Sequence, residues 1–117
     1  MNIDRLDRVN ALLKHEIGEL LFRVINDNNF DISAITVTRV STSRNLRHAH
    51  VFISIRGHED VQQRMLAIIK KHRRKIQQRI NADTILKYTP RLTFELDTSI
   101  EEGDRVLQRL LEIEESI

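Results

Sequence analysis

Apolar residues recur at three- and four-residue spacing in three stretches of this chain and alternate with polar residues in three others. Leu6, Val9, Leu13, Ile17, Leu20 and Val24 gather on one side of a helix that turns about 100° per residue, predicting an amphipathic helix from about Ile3 to Ile25. Asp4 and Asp7 stand near its N-terminal end, where the helix dipole favours acids. Asp27-Asn28-Asn29 ends it with residues that prefer turns. Gly18 sits inside this helix at a cost of about 1 kcal/mol relative to Ala, and close packing is one use for it.

From Ile32 to Ser41 the chain is rich in β-branched residues and predicts a strand. A polar connection, Thr42 to Arg47, leads into Ala49, Val51, Ile53 and Ile55 alternating with His50, Phe52, Ser54 and Arg56, a period of two. The pair predicts an antiparallel hairpin ended by Gly57-His58, with Glu59-Asp60 opening the next helix. That helix covers Val61 to Asn81. Val61, Met65, Ile69, Ile76 and Ile80 form its apolar stripe, with Arg64, Lys70, Lys71, Arg74 and Lys75 mostly opposite and Arg73 near the border. The stripe is interrupted at His72, which predicts either a bend there or a His72 turned toward the core.

After a connection from Ala82 to Thr89, Pro90 belongs at a strand's start because it cannot donate to a ladder. Leu92, Phe94 and Leu96 alternate with Thr93, Glu95 and Asp97 in a third strand. Ser99 followed by Glu102 fits a capping box with Ser99 as N-cap. A last helix then runs to about Glu114 with Val106, Leu107, Leu110 and Leu111 as its apolar edge. The order α-β-β-α-β-α predicts an α+β, two-layer domain: a three-stranded sheet with helices on one face and the other face partly exposed.

At 117 residues, 40% hydrophobic and 31% charged, the chain suits one soluble domain spanning 1–117. No membrane-length apolar run and no leader-like start appear, cysteine is absent, and the expected compartment is the cytoplasm. Charge changes the picture more. Residues 1–38 hold four Lys/Arg against six Asp/Glu, residues 39–91 thirteen against three, and residues 92–117 two against eight. A basic middle of this kind points to a polyanion partner, because Lys and Arg gain by displacing counterions from phosphate. Without an exposed aromatic and leucine stripe beside the cations, nucleic acid fits better than a membrane.

Little else carries chemistry. Glycine at 18, 57 and 103 alone leaves no phosphate-cradling loop. His48 and His50 share a strand face without a third ligand, so no metal is expected. The serines lack a nucleophile elbow, and Glu95 and Asp97 read as a solvated strand face. Phe22, Phe30, Phe52, Tyr88 and Phe94 are too scattered for an aromatic base-stacking sheet. No enzyme and no cofactor are expected.

Several strings follow one another in an order that resembles the ribosome-binding factor A family of bacterial small-subunit assembly factors, over nearly the whole chain. They are Arg5-x-x-Arg8-Val9 with Glu16-Ile17, and Ile35-Thr36-Val37-Thr38-Arg39-Val40. Next come Ser43-x-x-Leu46-x-x-Ala49-x-Val51-Phe52-Ile53-Ser54 and Pro90-x-Leu92-x-Phe94-x-x-Asp97-x-Ser99 with Gly103. The resemblance implies a type II KH-like domain without the GxxG loop, and binding to the 30S subunit and its 16S rRNA during late maturation, particularly in the cold. The family's helix-kinking Ala-x-Gly step reads His72-Arg73-Arg74 here, and its C-terminal extension is short or missing.

On this reading a monomer clamps rRNA with Arg39, Arg44, Arg47 and Arg56 of the hairpin and Arg64, Lys70, Lys71, Arg73, Arg74, Lys75 and Arg79 of the central helix. The alternative is a protein-interaction module whose acidic last helix, with Glu101, Glu102, Asp104, Glu112, Glu114 and Glu115, docks a basic partner.

Overall fold

The computed structural model describes residues 2–83, 86 and 88–115, and only the backbone of 2–4, 100–106 and 115. The elements follow in the order α1 (Asn2–Val24), a 3-10 turn (Ile32–Ala34), β1 (Ile35–Thr42), β2 (His48–Ile55), α2 (Glu59–Lys71), α3 (Arg73–Asp83), β3 (Arg91–Leu96) and α4 (Ser99–Glu115). β1 and β2 pair antiparallel from Ile35 opposite Ile55 to Thr42 opposite Ala49. β2 and β3 pair parallel from His48 opposite Arg91 to Ile53 opposite Leu96. A parallel pair needs a long crossover, and α2 with α3 supplies it.

The first departure from the sequence reading is at 32–34, expected as strand. There Asp31 accepts a bond from the Ser33 NH at 3.1 Å and caps one turn of 3-10 helix. The second lies inside β1. Register shifts between Val37 and Arg39, so Thr38 is an extra residue bulged out of the ladder. Strict alternation would set Val40 on the face opposite Val37. The bulge restores it, and both valines are buried while Thr38 and Arg39 turn to the outer face.

Helices cover one face of the sheet. Leu13, Ile17 and Leu21 of α1 meet Val51 and Ile53 of β2, Leu92 and Phe94 of β3, and Ile69, Ile76 and Ile80 of the helix pair in one core. Each such side chain, fully buried, contributes about 1.5–3 kcal/mol. The Asn10 side chain accepts the Thr42 NH at 3.0 Å and ties α1 to the end of β1. Gly18 does not serve close packing, since a Cβ there would meet nothing within 4 Å.

The long central helix is two helices. His72 takes φ −93° and ψ 6°, outside helical values, and its NH reaches Ile69 O at 3.0 Å and Ile68 O at 3.2 Å. Its ring Nδ1 lies 2.8 Å from the Ile68 carbonyl. A carbonyl only accepts, so Nδ1 carries the proton. The half-buried ring thus satisfies a helix end without glycine. The predicted stripe holds: Met65, Ile69, Ile76 and Ile80 are buried, joined by Leu66, and Val61 is half-buried.

The capping reading changes as well. Ser99 is the first residue of α4, and Asp97 Oδ1 accepts both its NH at 2.9 Å and its hydroxyl at 2.6 Å. Ser99 therefore stands inside α4 and is held by Asp97 two residues upstream, while the Glu102 side chain lies outside the described residues. Of the expected apolar edge, Leu107, Leu110 and Leu111 are more than half exposed, and the Val106 side chain lies outside the described residues. α4 is a helix without a buried described side chain.

Candidate nucleic-acid interface

Burial of the stripe fixes where the cations point. Arg64, Lys70, Lys71, Arg74, Lys75 and Arg79 are exposed on α2 and α3, and Arg73 is half-buried. Within α3, Lys75 and Arg79 stand four residues apart, where like charges cost about 0.2–0.5 kcal/mol, and Lys70 and Lys71 add their charge from the other side of the break at His72. The single ion pair among the described residues is His50 with Glu95, elsewhere in the molecule. The acids of the helix pair, Glu59 and Asp60 at the start of α2 and Asp83 at the end of α3, form no ion pair with these cations among the described residues.

Arg73 shares a face of α3 with Gln77 and Asn81, four and eight residues on. Gln77 holds that face to the sheet: its amide nitrogen donates to Pro90 O at 3.0 Å and its oxygen accepts the Leu92 NH at 2.8 Å. The β1–β2 turn closes from the other side. Asn45 Oδ1 accepts from the Ser43 hydroxyl at 2.6 Å and the Arg47 NH at 3.1 Å. Leu46 takes φ 61°, a conformation costing about 1–2 kcal/mol, while its side chain packs against the core. Arg91 then donates its NH to Arg47 O at 2.8 Å. Hairpin turn, α3 and the start of β3 so enclose a groove of about 760 Å³ with Arg47, Arg73 and Arg91 among its walls and Tyr88 beside them.

The structure does not gather the other expected cations here. Arg44 is exposed in the turn. Arg39 lies on the open sheet face with its guanidinium 3.9 Å above the Phe52 ring. Arg56 donates to Ser33 O at 2.7 Å. Arg64 borders a separate hollow with Asp27 and Asn29. Arg91, Tyr88 and the Gln77 clamp escaped the sequence reading. The 73, 77, 81 spacing was the available signal for the α3 wall.

On the open face, His50 Nδ1 meets Glu95 at 2.8 Å, and the Thr38 hydroxyl donates to Asp97 Oδ2 at 2.5 Å. The Ser99 hydroxyl, then Thr38, the Ser99 NH and the charge of Arg39 hold the Asp97 carboxyl down at about 2 against a small opposing push from burial. Among the described residues no three His, Asp or Glu side chains are placed to hold a metal, and no helix is long and apolar enough to cross a membrane.

An antiparallel hairpin, a parallel third strand reached through a broken helix pair, and helices on one face define a type II KH-like domain. The chain belongs to the ribosome-binding factor A family, whose model matches residues 5–110. It is 33% identical over 109 residues to ribosome-binding factor A of Dictyoglomus thermophilum, covering 93% of this chain and 90% of the relative. The crystal structure of the Thermus thermophilus factor superposes with a TM-score of 0.64 at 19% identity, over 78% of this chain and 93% of that one. Coordinates of a Thermus thermophilus factor fitted into a cryo-EM map of its 30S complex superpose at 0.60 and 20% identity, over 76% and 91%.

Proposed function

We propose that residues 1–117 act as one unit that binds the small ribosomal subunit and its 16S rRNA during late maturation in the cytoplasm. The observation that carries this reading is the run of exposed cations on α2 and α3, kept without ion-pair partners among the described residues in a chain of the ribosome-binding factor A family. Phosphate supplies the missing counter-charge and releases its condensed ions. Lys70, Lys71, Arg74, Lys75 and Arg79 provide the broad contact, and Arg47, Arg73 and Arg91 the groove beside it. The mechanism is occupancy: the bound factor favours one rRNA arrangement and withholds the immature subunit from translation, with no bond made or broken.

The test is co-sedimentation with small subunits. Wild type is expected in the 30S fraction, and Lys71→Glu with Arg74→Glu and Lys75→Glu is expected at the top of the gradient with near-wild-type melting. A triple variant that still sediments with subunits would move the RNA site off the helix pair.

A second reading rests on α4, whose exposed Leu107, Leu110 and Leu111 stand beside exposed Glu112 and Glu114. This surface suits a basic protein partner, and salt-insensitive binding to one protein would favour it.

A further inference from the structure

α4 carries an apolar stripe that the described core does not use. Leu107, Leu110 and Leu111 are 59%, 52% and 55% exposed, and no described side chain of the helix is buried. The stripes of α1 and of the helix pair, by contrast, form the core. A lone helix of 17 residues is barely stable in water, and helices in proteins draw most of their stability from packing such a face. The start of α4 is nonetheless fixed. Asp97 Oδ1 holds the Ser99 NH and hydroxyl, and Oδ2 takes the Thr38 hydroxyl from the far strand of the sheet. The fold thus presents an arm about 25 Å long with one face uncovered.

The charges around the stripe define what covers it. Glu114 continues the line of Leu107, Leu110 and Leu111 at the i+7 position, while Arg109 falls on the far side of the helix. Residues 92–117 hold two Lys/Arg against eight Asp/Glu. Such a segment repels phosphate, whether of RNA or of an anionic lipid surface. A second α4 would set the same acids against each other. An extended peptide would lay unpaired backbone NH and C=O groups on leucine, at a cost that a helix avoids. The occupant that meets these demands is an amphipathic helix with apolar residues at three- and four-residue spacing and a Lys or Arg one turn beyond them.

Resting on the small-subunit reading above and deepening that of α4, we propose that α4 is a second attachment point, docking a basic amphipathic helix of a small-subunit protein. Proteins that sit on RNA are basic for the same reason as α2 and α3. The helix pair takes phosphate and α4 takes the neighbouring protein. Two contacts on one particle reinforce each other, because the first raises the effective concentration for the second.

Photo-crosslinking in the complex of the full chain with purified small subunits tests this, with p-benzoylphenylalanine in place of Leu110. Crosslinks are expected to one subunit protein, within a helix that carries Lys or Arg. The same probe in place of Lys71 should reach rRNA instead. Leu107→Ala with Leu110→Ala is expected to weaken subunit binding by about 10-fold, as loss of an interface anchor does. That loss should be the same at low and high salt, since no charge is removed, and melting should stay near wild type. Glu114→Lys should give a smaller loss that Glu114→Asp does not share. Crosslinks from position 110 to rRNA, to a second copy or to the chain's own domain overturn the docking, as does a bound factor with no crosslink or an unchanged affinity of the leucine pair. Failure of the wild-type chain to co-sediment overturns the small-subunit reading and this inference with it, so the two failures are told apart.

Discussion

The two faces of this small sheet handle charge in opposite ways. On the open face several ionic groups have a partner in the chain: Arg39 lies over Phe52, His50 meets Glu95, and Asp97 holds Thr38 and Ser99. On the helix side Lys70, Lys71, Arg74, Lys75 and Arg79 repel one another with no described acid among them. A side chain that neutralises its neighbour is already satisfied, and a polyanion gains little from it. An unrelieved cation gains by meeting phosphate. Abundance of charged residues therefore says less about binding than whether the fold has paired them.

The largest effect should come from reversing the unpaired side. Lys71→Glu, Arg74→Glu and Lys75→Glu together are expected to weaken small-subunit binding by on the order of 100-fold or more at physiological salt, from about three lost phosphate contacts. Arg39→Ala with His50→Ala on the open face is expected to leave it within about twofold, as removal of already paired charges should. Equal losses from both sets, in a binding titration, would erase the distinction between the faces.

Stability divides the other way. Met65→Ala is expected to cost about 2–5 kcal/mol by thermal or denaturant unfolding, since a buried side chain leaves a cavity. The folded fraction should still bind subunits, because the change leaves the cations in place.

At the junction of the helix pair, His72→Leu removes the ring bond to Ile68 O and is expected to cost about 0.5–1.5 kcal/mol. A more stable variant would mean that the ring bond contributes nothing and that the break persists for another reason.

The smallest effect lies on the open face and depends on pH. The Asp97 carboxyl is lowered in the folded chain from 3.8 to about 2. Its stabilisation is complete above about pH 4 and is lost as pH falls toward 2. Asp97→Asn should flatten the unfolding midpoint against pH across that window, with a change at neutral pH smaller than that of His72→Leu. An unchanged pH profile would show that Thr38 and Ser99 do not hold the carboxylate.

Much of the frame was legible because it is written in short-range periodicity. The stripe Met65, Ile69, Ile76, Ile80 marks the buried side of the helix pair, and its gap marks the break at His72. Ala49, Val51, Ile53 and Ile55 fix the inward face of β2. What escaped depends on contacts between distant segments or on a change of phase. Strict alternation puts Arg39 on the face of Val37, and only the bulge at Thr38 turns it outward, although the three-residue step from Val37 to Val40 was visible. Ser99 looked like a cap because its spacing to Glu102 fits the pattern, while in the fold it is the first residue of α4 and is held by the carboxylate two residues earlier. The groove draws on Arg47, Arg73, Tyr88 and Arg91, which no local pattern connects.

The most direct test of the unpaired-cation account is the salt dependence of small-subunit binding by the wild-type chain. With about five phosphates engaged, log K should fall against log salt with a slope of about −3.5 to −4.5. A slope shallower than about −1 would show that phosphate contacts are not the main source of affinity, and would contradict the role assigned to α2, α3 and the groove.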